Sequence, residues 1–136
     1  MVAPVSPQAR DLGAVADEFL TVVVLPCAQP EVLVLRVVGE VDLFTVGHLR
    51  KQLDQQVCPA HRAVVLDCTG VSFLAACGIG VLVEFAAQAR ARGLLLRLVT
   101  TGQMVRRALE ATQVDGLLPR VTTVAEAIAQ CAIRPG

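Results

Sequence analysis

The amino-acid sequence predicts a single α/β domain with a mixed, partly parallel sheet of about five strands and about four helices, in the order ββαβαβαβα. The chain has 136 residues, a length that fits one domain. Short apolar runs alternate along it with segments in which apolar residues recur every three or four positions, which is the pattern of strands alternating with helices. Strands that alternate with helices pair mainly in parallel, because each helix returns the chain across the sheet.

The first two strands are predicted from apolar segments rich in β-branched residues. Residues 19–25 form the first strand, which ends at Pro26, and residues 31–38 form the second, with Arg36 as an interruption. The turn residues Gln29-Pro30 lie between them, so these strands are expected to pair as a hairpin.

The chain before residue 19 has little pattern. Residues 1–17 contain Pro4, Pro7 and Gly13 and are predicted to form a flexible N-terminal arm. The folded domain is then expected to span residues 18–134.

The first helix is predicted from a stripe of apolar residues spaced three or four apart, namely Val46, Leu49, Leu53 and Val57. Asp42 or Thr45 is the expected N-cap, and Cys58-Pro59 ends the helix because a residue before proline disfavours helical geometry. Residues 63–66 are predicted as a strand buried on both faces, and residues 67–70 as a loop.

A second helix is predicted to begin near Gly78 and to end at Gly93, which lies where a left-handed C-terminal cap belongs. Residues 94–99 are expected to form another buried strand, and residues 103–112 a third helix.

The end of the chain is predicted to add one strand and one helix. Residues 117–119 resemble a short edge strand. The capping-box pattern Thr123-x-x-Glu126 then predicts a last helix that runs through Cys131.

Composition excludes several classes of function. The 12 basic and 12 acidic residues balance, so the chain lacks the basic surface that nucleic-acid phosphates require, and no nucleic-acid partner is expected. The longest uncharged stretch, which ends at Val83, falls short of the ~20 apolar residues that cross a bilayer, so no membrane partner is expected. Five cysteines, an odd number without a disulfide spacing, indicate a reducing cytoplasm.

Catalytic and metal-binding motifs are weak. His48 and His61 have no nucleophile motif near them and are interpreted as surface histidines. Cys58-x-x-His61 has half of a zinc-site spacing without a second pair, and Gly78-x-Gly80 lacks the third glycine of a dinucleotide fingerprint. We therefore expect neither an enzyme nor a bound metal or cofactor.

The segment from Val64 to Val83 is the most informative, because a buried strand, a polar loop and a helix start follow one another there. In α/β sheets, the loops that leave the carboxyl ends of strands commonly hold functional groups. The first turn of a helix at Gly78 favours negative charge, and glycine leaves its backbone open to close approach. The alternative is that Gly78 and Gly80 only pack the helix on the sheet.

Several motifs, in the same order, resemble the STAS domain family, and within it the stand-alone bacterial anti-sigma factor antagonists. These motifs are Gly39-Glu40-Val41-Asp42, residues 65–74, residues 78–82, Arg92-Gly93, residues 105–109 and residues 124–127. The resemblance spans about residues 19–132 and implies a STAS-like fold. It also implies a protein that binds an anti-sigma factor, usually a serine kinase with a histidine-kinase-like fold, and so releases a sigma factor.

The resemblance also implies a phosphorylation site from which this sequence departs. In the family, the kinase phosphorylates the serine before the glycine of Asp-Ser-Ser-Gly, and the phosphate abolishes binding. This chain has Ala75-Ala76-Cys77-Gly78 at that point. A thiol is not a normal substrate of a serine kinase, so the regulatory charge of about −2 is expected to be absent. The nearest hydroxyls, Ser72 and Thr69, do not align with the acceptor.

The resemblance and the residue pattern together predict a partner-binding surface around this turn. Its predicted members are Asp42, Thr45, Phe73, Leu74, Cys77, Gly78 and Ile79. Cys77 is also a regulatory position, because a helix N-terminus stabilises the thiolate of an exposed cysteine, and Cys68 is its candidate disulfide partner. The alternative for Cys77 is a neutral replacement of serine by a small, inert residue.

Two other functions remain open at this point: a thiol-based redox-sensing regulator that uses Cys77, and a small-ligand-binding STAS module. The expected oligomeric state is a monomer or a weak dimer, the dimer because the strand at residues 19–25 could pair at a sheet edge.

Overall fold

Five strands form one sheet in the order β1-β2-β3-β4-β5 in the computed structural model, which describes residues 19–132. The elements are β1 (Leu20–Leu25), β2 (Val32–Val41), α1 (Val46–Gln56), β3 (Ala63–Leu74), α2 (Ala76–Ala91), β4 (Leu95–Val99), α3 (Gln103–Ala111), a 3-10 turn (Asp115–Leu117), β5 (Arg120–Val121) and α4 (Val124–Ala132). The predicted fold class and the order ββαβαβαβα are confirmed. The arm predicted at residues 1–17 lies outside the described residues, as do both ends of the predicted domain.

The sheet is mixed because its first connection is a hairpin and the others are crossovers. β1 pairs with β2 antiparallel, and Leu20 is opposite Gly39. β2, β3, β4 and β5 all run parallel. The carboxyl ends of β2 and β3 therefore meet at one edge of the sheet, where Val41 is opposite Leu74.

Apolar side chains alternate across the sheet and pack into a core on each face. The helices α1, α2 and α3 cover one face through residues such as Leu49, Leu82 and Val105, which join a large cluster with Leu66. α4 covers part of the other face, where Ala127 and Cys131 pack against Val65 and its neighbours. Both faces of the sheet are therefore covered by helices, and apolar side chains of the central strands are buried on both.

β3 is longer than predicted, and the loop expected at residues 67–70 is wrong. The strand continues to Leu74 beside β2, which has 10 residues where β3 has 12. The polar residues Asp67 and Thr69 fit in this strand because the Asp67 carboxylate accepts hydrogen bonds from Thr69 and from Arg36. Gly70 fits because Val38 on β2 lies close against its Cα, where a Cβ atom would be 3.0 Å from Val38 Cγ2.

The edge strand predicted at residues 117–119 is also wrong. The chain forms a 3-10 turn over Asp115–Leu117, and the strand follows at Arg120–Val121. Pro119 lacks an amide donor but its carbonyl accepts the Leu98 amide at 2.8 Å, so pairing with β4 begins at the carbonyl of the proline.

Two predicted helix ends match the structure closely. Gly93 has a φ of +70°, the left-handed conformation expected of a helix C-cap. At α4, the Glu126 amide donates to Thr123 Oγ1 at 3.0 Å, as in a capping box. The Glu126 carboxylate, however, accepts from the Thr122 amide at 3.2 Å rather than from Thr123.

No helix within residues 19–132 combines the length and the apolar character needed to cross a bilayer.

Candidate functional site

The candidate site is the sheet edge at which β2 and β3 end. β2 leads into a turn at residues 42–45, and β3 leads through Ala75 directly into α2. The Ala75 amide donates to the Val41 carbonyl at 2.8 Å, which ties the two strand ends together. We call the exposed side chains of this edge, Leu43, Phe44, Phe73 and the neighbouring Cys77, the docking edge.

The turn at residues 42–45 is held by the side chain of Asp42. Asp42 Oδ1 accepts hydrogen bonds from the amides of Phe44 at 2.9 Å and Thr45 at 3.0 Å. Thr45 Oγ1 in turn accepts from the Asp42 amide at 3.0 Å and donates to the Glu40 carbonyl at 2.7 Å. This reciprocal bonding is an Asx turn that fixes the backbone of Leu43 and Phe44.

The same bonds correct the predicted N-cap. Thr45 occupies the N-cap position of α1, but its side chain makes no capping bond to the first turn of the helix. Its hydroxyl and the Asp42 carboxylate both make hydrogen bonds within the preceding turn instead. The residues were correctly singled out, but they stabilise the turn at residues 42–45 rather than the helix end.

Large apolar side chains are exposed along the docking edge. Leu43 is 83% exposed, Phe44 49% and Phe73 48%. Phe73 is opposite Glu40 near the end of β3, so it lies at the same edge as the turn that holds Leu43 and Phe44. Exposed apolar groups gathered at one edge are typical of a protein interaction site.

The turn into α2 is closely packed on the sheet. Ala75 is the N-cap of α2 and offers no side-chain acceptor, and Cys77 lies half-buried in the first helical turn. Gly78 lies against Val41 and Leu74, where a Cβ atom would overlap Val41 Cγ1 and be 2.8 Å from Leu74 Cδ1. Glycine therefore allows the start of α2 to lie directly on the sheet, which supports the packing interpretation of this residue.

The two segments that form the docking edge contain few charged residues, and those few are acidic. Residues 69–83 contain no ionisable side chain other than Cys77, and α2 has no acidic residue in its first turn. Glu40 and Asp42 are the carboxylates of the adjoining segment. The first turn of α2 thus supplies no anion of its own to the helix N-terminus.

Burial divides the predicted partner-binding residues into two groups. Phe73 is exposed, and Asp42 and Cys77 are half-buried, so these three can contact a partner. The other four are buried, which corrects their predicted role as contact residues: Thr45, Leu74, Gly78 and Ile79. They support the docking edge from beneath.

Sequence reasoning missed Leu43 and Phe44. The signal was present, because two large apolar residues stand consecutively between the end of a strand and the start of a helix, where turns are usually polar.

Cys68 is not placed where its predicted pairing with Cys77 requires. It lies in the middle of β3, six strand residues before the end, and is buried in the core with its thiol free. Burial, together with the negative charge of Asp67, raises the pKa of the Cys68 thiol to about 12. A thiol with this pKa stays protonated and inert at neutral pH.

Asp67 is a buried carboxylate that stabilises the middle of the sheet. Its Oδ1 accepts from the Thr69 hydroxyl at 2.7 Å and the Thr69 amide at 3.0 Å, and its Oδ2 accepts from Arg36 Nε at 3.0 Å. Burial alone would raise the pKa of Asp67, but the hydrogen bonds from Thr69 and Arg36 outweigh it, so the pKa lies below its ordinary value. The group is therefore ionised, and both of its oxygens accept hydrogen bonds within the sheet.

The cavity beneath the docking edge is small. This cavity, lined by apolar residues such as Val37, Val71 and Leu82, has a volume of about 10 Å³, the size of one water molecule at most. Within residues 19–132, no group of three or more His, Cys, Asp or Glu side chains could hold a metal ion.

The sequence model of the STAS domain family matches residues 27–127, which is most of the chain and includes the whole docking edge. The chain belongs to the STAS domain family. The match begins before β2 and ends within α4, so it covers both sheet faces described above.

Two mycobacterial proteins are similar to this STAS domain over most of its length. A Mycobacterium tuberculosis protein named as an anti-anti-sigma factor is 29% identical over 136 residues, covering 97% of this chain and 89% of the relative. The crystal structure of an anti-sigma factor antagonist from Mycobacterium paratuberculosis is 25% identical, with a TM-score of 0.74, and covers 83% of this chain and 94% of that one.

A further solved structure supports the fold of the STAS domain alone. The anti-sigma factor antagonist SpoIIAA in its unphosphorylated form is 18% identical, with a TM-score of 0.66 over 85% of this chain and 100% of that chain. At this identity the two chains share an architecture, and the function of one does not transfer to the other.

Proposed function

We propose that this STAS domain is a non-enzymatic anti-sigma factor antagonist, which binds an anti-sigma factor through the docking edge and thereby releases a sigma factor. The observation that carries the proposal is the exposure of Leu43, Phe44 and Phe73 around the uncharged start of α2. A few well-packed side chains at the centre of an interface supply most of its binding free energy. The named roles of the mycobacterial relatives support the same function.

The proposed partner is an anti-sigma factor of the serine-kinase type, with a histidine-kinase-like fold, as the family resemblance implies. In the two segments that form the docking edge, residues 40–45 and 69–77, the charged side chains are the carboxylates of Glu40 and Asp42. A complementary partner surface is therefore an apolar groove with a basic rim. We place this interaction in the cytoplasm, with the STAS domain acting as a monomer or a weak dimer.

We also propose that phosphorylation at residue 77 does not regulate this antagonist. Cys77 lies in the first turn of α2, where the family resemblance places the phosphorylated serine. Phosphate at this position would add about two negative charges to an apolar, neutral surface. Because the side chain is a thiol, we expect the docking edge to stay neutral in the presence of kinase and ATP.

The direct test of binding uses calorimetry to measure the affinity of three alanine variants for each candidate anti-sigma factor. Leu43→Ala and Phe73→Ala each weaken binding by about tenfold or more if the docking edge is the interface. Leu117→Ala is the matched control, because Leu117 is also exposed, at 44%, but follows α3 at the other end of the strands. Equal effects of all three variants would contradict the proposal.

The test of regulation uses the same partner with ATP. Mass spectrometry is expected to find no phosphate on the wild-type chain and phosphate on residue 77 of the variant Cys77→Ser. Phosphate on Ser72 or Thr69 of the wild-type chain, together with loss of binding, would contradict this part of the proposal. Binding of the anti-sigma factor and release of the sigma factor are measured separately, so the two parts fail independently.

A further inference from the structure

Strand β1 forms one edge of the sheet and β5 forms the other. Within residues 19–132, each of them pairs with a single neighbouring strand. An edge strand presents amide and carbonyl groups to any strand that comes alongside, and proteins commonly block such edges with charged residues, prolines, bulges or very short strands. The β5 edge is blocked in this way, because the strand has two residues and follows Pro119.

The β1 edge has none of these features. Its six residues, Leu20–Leu25, include no charged residue and no proline, and the register between β1 and β2 has no bulge. Val23 and Val24 are both exposed, and consecutive residues of a strand point to opposite faces of the sheet. The edge is therefore apolar on both faces and has the regular shape that another strand requires.

A groove lies beside the first half of β1, on the sheet face that α1 covers. Leu20 is buried in the core on this face, and Val22 is partly buried against the same core. The groove has a volume of about 330 Å³ and is lined by Leu20, Thr21 and Val22 of β1 and by His48 and Gln52 of α1. Val24 points to this face too, because strand residues alternate, and it is 49% exposed. One face of β1 thus carries a groove near the start of the strand and an exposed apolar side chain near its end.

We propose that β1 pairs antiparallel with β1 of a second copy of this chain, so that the two sheets join into one. The two copies are then related by a two-fold axis perpendicular to the sheet, and this axis keeps the α1 face of both copies on the same side. Residues directly opposite each other in an antiparallel pair point to the same face, so even-numbered residues of one strand are opposite even-numbered residues of the other. The registers that meet this condition and pair five residues of each strand have Val22 or Val23 on the axis.

In both registers, the exposed Val24 of each copy lies opposite a residue that lines the groove of the other. With Val22 on the axis, Val24 of the second copy is opposite Leu20, and with Val23 on the axis it is opposite Val22. The apolar side chain of each copy therefore reaches the groove of the other, and the symmetry makes this contact twice. Because β1 has no charge that would attract a charged peptide, the same apolar strand of a second copy is the occupant that fits.

The size of this contact indicates a weak dimer. Each copy contributes the six residues of β1 and the two groove residues of α1, against about 20–30 residues from each partner in an interface of standard size. The dimer is therefore expected to form at high concentration and to dissociate on dilution. This inference names the surface of the weak dimer proposed above, and it does not depend on binding of an anti-sigma factor.

The symmetry leaves both docking edges accessible. The β2 strands of the two copies run in opposite directions, because each is antiparallel to its own β1 and the two β1 strands are antiparallel to each other. The two docking edges consequently lie at opposite ends of the joined sheet.

Analytical ultracentrifugation of the full-length chain from about 10 μM to about 1 mM tests the proposal. The sedimentation coefficient of the wild type is expected to rise from that of a monomer toward that of a dimer. Val24→Lys, which places an ammonium group at the β1 edge, is expected to weaken dimerisation by about tenfold or more. Val38→Lys is the matched control and is expected to dimerise like the wild type, because Val38 is also exposed, at 41%, but lies on β2, which is paired on both sides.

Amide hydrogen exchange of the wild type gives a second measurement, which needs no variant. Exchange of the β1 amides is expected to slow as the concentration of the chain rises, whereas exchange of the β5 amides is expected to stay the same.

Three results would overturn the proposal. The first is a monomer at every concentration. The second is an equal loss of dimerisation in Val24→Lys and Val38→Lys, which would place the interface elsewhere. The third is exchange of the β1 amides that does not change with concentration, which would mean that this edge stays open or is covered by the same chain.

Discussion

Gly78, in the first turn of α2, lies directly against Val41, the last residue of β2, with no space for a side chain between them. The contact explains how a helix can begin immediately after a strand, because Ala75 alone separates β3 from α2. It also fixes the height of Cys77 above the sheet, and so the shape of the docking edge.

The first prediction concerns this contact. Gly78→Ala places a methyl group against the buried Val41 and Leu74 and is expected to lower the free energy of unfolding by about 1–3 kcal/mol, despite the better helix propensity of alanine. Gly80→Ala is the matched control, since a Cβ at Gly80 meets no atom within 4 Å, and it is expected to stabilise by about 0.5–1 kcal/mol. Urea unfolding measures both, and a similar gain for the two variants would show that the contact is absent.

The second prediction concerns the turn that presents Leu43 and Phe44. Asp42→Ala removes the acceptor of two backbone amides and is expected to cost about 1–2 kcal/mol of stability. Asp42→Asn keeps an oxygen at the same position, so its free energy of unfolding is expected to lie within about 0.5 kcal/mol of the wild-type value. A loss as large for asparagine as for alanine would mean that the charge, rather than the hydrogen bonds, stabilises the turn.

The third prediction places a negative charge at the start of α2. Cys77→Asp is expected to weaken binding of the anti-sigma factor by about 30-fold or more, because an unpaired carboxylate would be desolvated in an apolar interface. The same change is expected to raise the free energy of unfolding by about 0.3–1 kcal/mol, because an acid is favourable at a helix N-terminus.

A variant that binds more weakly although it is more stable has lost affinity because of its charge and not because it misfolds. Cys77→Ser, neutral and of similar size, is the control and is expected to bind like the wild type when no kinase activity is present. Undiminished binding of Cys77→Asp would place the interface elsewhere.

The fourth prediction concerns acid stability. Because the pKa of Asp67 is lower in the folded chain than in the unfolded chain, its stabilising contribution is present above the unfolded pKa and is lost as the pH falls through the folded one. The free energy of unfolding of the wild type is therefore expected to fall as the pH drops below about 4, and that of Asp67→Asn to fall less steeply. Glu110→Gln, which changes an exposed carboxylate on α3, is the control. Parallel curves for wild type and Asp67→Asn would contradict the prediction.

The sequence predicted the elements that depend on local pattern and missed those that depend on contacts across the sheet. The stripe of α1 and the caps at Gly93 and Thr123 are local signals, and the structure contains them. The extension of β3 through Asp67 is not local, because a carboxylate is acceptable in a central strand only when Arg36 on the next strand is there to bond it.

The sequence predicted the position of the candidate site better than it predicted which residues of the site are exposed. The order of strand, turn and helix indicates an edge at which loops meet, and that is where Phe73 and Cys77 lie. Whether a residue at that edge points outward or inward depends on packing: Thr45 is fully buried and Leu43 is 83% exposed, although only Phe44 separates them. Pattern alone does not distinguish them, because both lie in a turn of irregular backbone.

The first and last described residues lie toward opposite ends of the parallel strands. Phe19 adjoins Gly39, close to the end of β2, whereas α4 begins after β5 and returns along the sheet toward the opposite side. The end of α4 is consequently distant from the surface that a bound regulator would cover, so attachment through α4 is the orientation of choice for affinity measurements on an immobilised chain.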